Sequence, residues 1–182
     1  MSVSPTLECF SPEQIVTVNN AASMAEELVS DHYKMSASQW LRRKYDFKTL
    51  VDLTPGEIVF GPFAQIIRYE GHRVDSSLGS AAYDFYKICL QDHAILETMR
   101  QHLQIRLFPF CIYILSHELI HIIRFSKFLC NFVATAEERR VEETLVHQIT
   151  HTILCGISLE GLPEVFAFYI KWRHPLDQVS SH

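Results

Sequence analysis

The sequence predicts a mainly α fold (α+β) with a small β-hairpin or sheet, and three observations carry that reading. Apolar residues recur at three- and four-residue steps over several long stretches. Glycine (6) and proline (7) are too sparse among 182 residues for a turn-dense all-β fold. One short segment, 57–70, is instead rich in β-forming residues. The hydrophobic fraction of 48% and charged fraction of 20% exclude a disordered chain. No repeat or linker-like stretch interrupts the chain, so residues 1–182 read as a single domain.

The elements follow in order. Ser11-Pro12-Glu13 opens the first helix, with serine at the N-cap and proline at the first helical position. Ile15, Val16, Ala21, Ala22, Met24, Ala25 and Leu28 continue it. A shorter helix is expected from about Ser36, carrying Trp40, Leu41 and Leu50, with Pro55-Gly56 closing the region. Ile58, Val59 and Phe60, then Phe63, Ile66, Ile67 and Tyr69, straddle Gly61-Pro62 and predict a hairpin or a pair of strands. Residues 71–80 read as a polar connection, with Glu70-Gly71-His72 in a solvated loop.

From Ala81 to Ile105 the pattern predicts a helix through Phe85, Ile88, Cys89, Ile95, Leu96, Met99 and Leu103. Pro109 opens the next helix, which runs to about Lys127 and is apolar on nearly every side, as a central buried helix is. Thr135 and Glu138 form a capping-box signature for the following helix, and Gly156 marks its stop. Val141, Leu145, Val146, Ile149 and Ile153 make its apolar stripe. The segment from Pro163 to Trp172 is apolar and aromatic, and its type is ambiguous.

Composition narrows the function classes. The net charge is −5 with histidines neutral, and the densest basic cluster, Arg42-Arg43-Lys44 between Trp40 and Tyr45, reads as a solvated helix face. Nucleic acid is therefore not an expected partner. The five cysteines, Cys9, Cys89, Cys111, Cys130 and Cys155, show no CxxC spacing and sit mostly among apolar neighbours, so buried free thiols in a reducing compartment are expected. MSVSPTLECF lacks the basic and apolar regions of a signal peptide. The longest apolar run, Leu107 to Leu115, contains Pro109 and is too short to span a bilayer. A soluble cytoplasmic chain without a membrane span is the expectation, and nothing indicates its oligomeric state.

The sharpest feature lies in the central helix: His117-Glu118-Leu119-Ile120-His121, an HExxH pattern. Four residues is little more than one turn, so both imidazoles project from one face and can chelate one zinc ion. Glu118 stands about 100° round the helix from His117, beside a bound ion. There it can take a proton from water and pass it to a leaving amine. Two histidines and a glutamate in the most apolar helix are costly to bury without a cation to pair with them. The bland alternative is a satisfied polar cluster in the core.

A third ligand is needed, and the helix from Ala136 to Cys155 carries the candidates. Glu138 belongs to the capping box. Glu142 falls in the apolar stripe beside Val146, Ile149 and Ile153, and is the expected ligand. Its rival is Glu143, about 100° away, with His147 four residues on as a ligand or supporting partner. Glu143, His147 and His151 otherwise read as a solvated polar face.

Over residues 109–156 the chain resembles the zincin metallopeptidases, specifically the gluzincin branch, in which a second helix supplies a glutamate ligand. Twenty residues separate His121 from Glu142, similar to that branch. The resemblance implies one Zn2+ per chain held by His117, His121 and Glu142, Glu118 as the base, and a peptide or protein substrate. It also implies that the preceding β-hairpin holds the substrate along its edge strand. The metzincin extension is absent, because Arg124 and Lys127 stand where glycine and the third histidine would be. Val141 precedes Glu142 where that branch often has asparagine. Tyr113, one turn before His117, is a candidate to stabilise an oxyanion, or simply a core tyrosine.

Two other classes compete. Glu118-x-x-His121 is also one ExxH unit of a di-iron carboxylate bundle, but no second ExxH occurs in the chain. A non-catalytic metal-binding interaction module would close its site with four protein ligands and has no use for Glu118. Asp92, His93 and Glu97 could support the metal site or form an exposed pair. No phosphate loop, Walker pattern or GxSxG elbow is present.

Overall fold

The computed structural model describes residues 7–36, 38–39, 45–72, 82–127 and 129–173. The protein is mainly helical, with six helices and one three-stranded mixed sheet among the described residues. Where the sequence predicts a single domain, the chain divides into two compact units. Residues 1–15 and 37–102 form the first, and 16–36 and 103–182 the second.

The first unit begins with the opening turn of α1 (Pro12–Tyr33). Ser11 accepts from Gln14 N at 3.2 Å, and Ser11 N donates back to the Gln14 side chain at 2.8 Å. This reciprocal box satisfies helix-end donors that would otherwise lack partners.

The sheet consists of β1 (Tyr45–Lys48), β2 (Ala64–His72) and β3 (Ala82–Leu90) in the order β1-β3-β2. β3 is central, parallel to β1 and antiparallel to β2, with Phe47 and Ile66 both opposite Ile88. Four expectations are corrected here. Residues 45–48, expected as helix, are an edge strand, and Leu50 opens a single 3-10 turn. Ile58–Phe60 is irregular, so the partner of β2 is β3 and not a neighbour within 57–70. Residues 82–90, expected as helix, are the central strand, and only Asp92–Gln101 is helical (α2). Tyr86, Ile88 and Leu90 are buried at period two and Cys89 is buried as well. A strand covered on both sides loses the clean alternation that marks it in sequence. Glu70, Gly71 and His72 end β2 and do not lie in a loop. Trp40–Lys44 and residues 73–80, which carry the basic cluster and most of the polar connection, lie outside the described residues.

Polar groups tie this unit together. The buried Asp92 carboxylate accepts from Phe10 N and Leu50 N, each at 2.9 Å. Glu57 accepts from Lys87 Nζ at 2.5 Å, Tyr69 Oη at 3.2 Å and Thr54 N at 2.9 Å. The bond from Lys87 and that from the Thr54 backbone pull the Glu57 carboxyl down to about 2. A depressed acid stabilises the fold above its unfolded pKa of about 4.3, and the benefit is lost as pH falls through the folded value. Acid unfolding followed by circular dichroism should therefore steepen between about pH 4 and 2. In Glu57→Gln that limb should flatten; an unchanged limb would assign the acid sensitivity elsewhere.

The second unit contains the rest of α1 with α3 (Leu107–Ser126), α4 (Ala136–Leu154), α5 (Leu162–Phe168) and α6 (Ile170–Arg173). Pro109 is the third residue of α3, in the first turn, where its missing N–H removes no helix bond. α4 and α5 pack on α3, and α6 packs on α4. Gly161 allows the approach of α5 to the start of α3. Its φ is +86°, and a Cβ there would stand 3.0 Å from the Pro109 ring. α3 is long and apolar enough to cross a membrane by length and composition, yet most of it is buried inside the fold.

At the start of α4 the Thr135–Glu138 box forms in both directions, at 3.2 and 2.8 Å. The buried face of this helix shares only Val146 and Ile153 with the expected stripe. Val141 and Leu145 are exposed, while Val146, His147, Thr150, Ile153 and Leu154 are buried. Of the supposed polar side His147 enters the core, while Glu143 is exposed and His151 half-buried. The thiols also differ from expectation: Cys89 and Cys111 are buried, Cys130 is half-buried, and Cys9 and Cys155 are exposed; all five are free.

Candidate metal centre

α3 presents His117 and His121 from one face, because four residues advance the helix by about 400°. Both rings are buried. Their Nε2 atoms lie 3.1 Å apart. Glu143 comes across from α4 with Oε2 3.1 Å from His117 Nε2 and Oε1 3.1 Å from His121 Nε2. Two ring nitrogens and the two oxygens of one carboxylate, from three side chains, therefore meet here. Ligands about 2.0–2.1 Å from a tetrahedral zinc would stand about 3.3–3.4 Å from one another, so the cluster is close to the size such an ion needs.

Electrostatics favour positive charge at this point. Burial pushes the Glu143 carboxyl up, but the hydrogen bonds and charge of His117 and His121 outweigh it and hold it well below the usual carboxylate range. Burial pulls His121 down, and its bond to Glu143 more than reverses this. A proton on His121 is favoured there in the way a bound cation would be. The Nδ1 atoms of His117 and His121 are buried without a hydrogen-bond partner among the described residues, so nothing there fixes the orientation of either ring.

Glu142 is not at this centre. Both its oxygens are bound by Arg124, Oε1 by Nε and Oε2 by Nη2 at 2.9 Å. Arg124 lies one turn beyond His121 on α3, so the two adjacent acids of α4 divide between neighbouring positions of the facing helix. The structure pairs Glu142, the expected third ligand, with Arg124 and brings its rival, Glu143, to the two histidines, although Glu142 is the less exposed of the two acids.

No protein-family model, curated protein or solved structure matches this chain.

Glu118 lies beside the cluster and is half-buried. Burial raises its carboxyl above the usual range, the charges of His117 and His121 lower it in part, and that of Glu143 raises it further. His147 completes the surroundings. One of its ring nitrogens lies within 4.8 Å of ligand atoms of His117 and Glu143. Burial and the charge of His117 depress it to about 3, so it is neutral. The side chain of Glu143 is 53% exposed while that of His117 is only 9% exposed, which leaves the cluster open to solvent from the α4 side.

The remaining candidates lie elsewhere. Asp92, His93 and Glu97 belong to the first unit. There Asp92 accepts two backbone bonds, and Glu97 pairs with Arg100 and accepts from Gln101. His151 stands beside Cys155 and Phe166 at the end of α4. Tyr113 is fully buried, 3.0 Å from His147 Nδ1. Sequence reasoning missed two residues. Arg124 is visible only as a basic residue one turn past the motif, and Arg173, buried near Tyr113, leaves no sequence signal.

Proposed function

We propose that this chain is a zinc-dependent hydrolase with peptide or protein substrates, using His117, His121 and Glu143 as metal ligands and Glu118 as general base. The observation that carries the reading is the convergence of two imidazole nitrogens and one carboxylate at 3.1 Å from one another beside the HExxH glutamate. The donor set of two nitrogens and one carboxylate suits zinc better than a hard oxygen-seeking ion. Held there by His117, His121 and Glu143, a divalent ion would supply a water of pKa about 7 and a polarised carbonyl. Glu118 then takes the proton and returns it to the leaving amine. The exposed side of Glu143 gives a substrate a way in, which a closed structural site does not need.

The first test is elemental analysis of protein purified without chelator or a metal-affinity column, beside His117→Ala. One zinc per chain, absent from the variant, is expected. Two irons per chain would turn the reading to a di-iron carboxylate protein. No metal in either sample, and none taken up on titration, would end it. The zinc-loaded chain should then cleave a peptide library, and resistance of the whole library would leave a metal-binding interaction module.

A further inference from the structure

A histidine serves a metal site well only when the plane of its ring is fixed, because its last side-chain torsion is soft and roughly two-fold. The usual device is a hydrogen bond on the ring nitrogen that does not face the ion. His121 lacks it: its Nδ1 is buried without a hydrogen-bond partner among the described residues. Its Nε2 is the atom turned to the centre, 3.1 Å from Glu143 Oε1 and 3.1 Å from His117 Nε2. A half-turn about the bond from the ring to Cβ would put the carbon Cε1 in that place. The bond to Glu143 favours the first orientation, but that carboxylate sits on an exposed side chain. What holds the plane must lie against the face of the ring.

Phe125 lies there. It follows His121 by four residues on α3, so the two side chains are neighbours on one face of the helix. Their rings are stacked, with planes 19° apart and centroids 5.8 Å apart. That is inside the range of about 4.5–7 Å in which offset aromatic pairs attract. Phe132 meets the Phe125 ring edge-on, with centroids 5.1 Å apart and planes at 70°. Phe132 belongs to the connection between α3 and α4, so this second contact keeps Phe125 from swinging away from the histidine. His117 has a different neighbour. The ring of His147, from α4, lies 4.2 Å from it and is tilted by 40°.

We propose that Phe125, braced by Phe132, is the positioning residue of His121, its ring face taking the part that a hydrogen bond on Nδ1 plays at other metal sites. The purpose of the stack rests on the metal reading, while the stack itself does not. The role needs a flat ring and not merely apolar bulk. It also separates the two ligands: without the Phe125 face His121 loosens, and His117 stays as it was.

The test compares Phe125→Leu and Phe125→Tyr with the wild type, each as the whole chain. Phe125 is half-buried, and leucine keeps an apolar side chain there. In titrations against a competing chelator, Phe125→Leu should bind zinc about 10-fold more weakly, the lower end of the loss seen when a supporting partner of a ligand is removed. Phe125→Tyr keeps the ring and should bind as the wild type does. NMR of histidine labelled with 15N and loaded with 113Cd reads the ligands separately. In Phe125→Leu the cadmium coupling of His121 should broaden or vanish while that of His117 persists. Zinc affinity equal to the wild type, or an equal loss of both couplings, would overturn the proposal. In the metal-free chain the ring protons of His121 should be shifted by the Phe125 ring, and the shift should disappear in Phe125→Leu and survive in Phe125→Tyr. If neither ion binds the wild type, the metal reading fails. The metal-free shift then still decides whether Phe125 holds the ring, and its absence would sink that claim as well.

Discussion

Glu143→Ala should abolish zinc uptake, while Glu142→Ala should leave it nearly intact and instead loosen the fold. The two acids are adjacent, yet their carboxylates have different partners. Glu143 stands 3.1 Å from both ligand histidines, so its loss removes one of three donors. Removing a group that only supports a ligand weakens metal binding by about 10–100-fold, and removing a ligand should exceed about 100-fold. Glu142 binds Arg124, and the two side chains are 16% and 13% exposed. Truncating one partner of a pair so little exposed leaves the other charge uncompensated and should cost about 2–4 kcal/mol. Zinc titration against a competing chelator, with urea denaturation of each variant, separates the two effects. The opposite pattern, zinc lost in Glu142→Ala and kept in Glu143→Ala, would show that the approach of Glu143 to the histidines does not represent the metal-binding state.

Glu118→Gln should keep one zinc per chain and lose hydrolysis. Glutamine has nearly the same volume and cannot accept the proton that the reaction must move. Removing a general base lowers the rate by about 10²–10⁴. Stability should move the other way. Burial raises the Glu118 carboxyl, so the charged form is the one the fold disfavours. A neutral amide removes that penalty, and the thermal midpoint of the variant should equal or exceed that of the wild type. Cleavage of a peptide library read by mass spectrometry, beside calorimetry and metal analysis, checks all three points. Hydrolysis within about tenfold of wild type would place the base elsewhere. A lowered midpoint would mean that Glu118 holds the fold together.

Much of this was legible in the sequence because it is local. Helix ends announce themselves through short-range bonds, and both the Ser11 cap and the Thr135–Glu138 box form where the residue pattern puts them. The pairing of His117 with His121 needs nothing beyond helical pitch. The apolar surroundings of α3 likewise make it a buried helix in any fold that has a core.

Other features depend on what each element meets. Residues 82–90 carry apolar groups on both faces, and spacing alone does not separate a doubly covered strand from a helix. Pairing with β1 on one side and β2 on the other decides it. Glu142 and Glu143 differ by one step of about 100° near the edge of the buried face, so their roles turn on the rotation of α4 against α3. That rotation follows from which side chains bury best together, and Arg124 and the two histidines sort the acids between them. The contact of Tyr113 with His147 and Arg173 joins residues far apart in the chain, from α3, α4 and α6. Spacing along one helix is enough to place the HExxH pair and the caps that frame α4. The approach of Glu143 to that pair is set by contacts between two helices, which no spacing along one of them encodes.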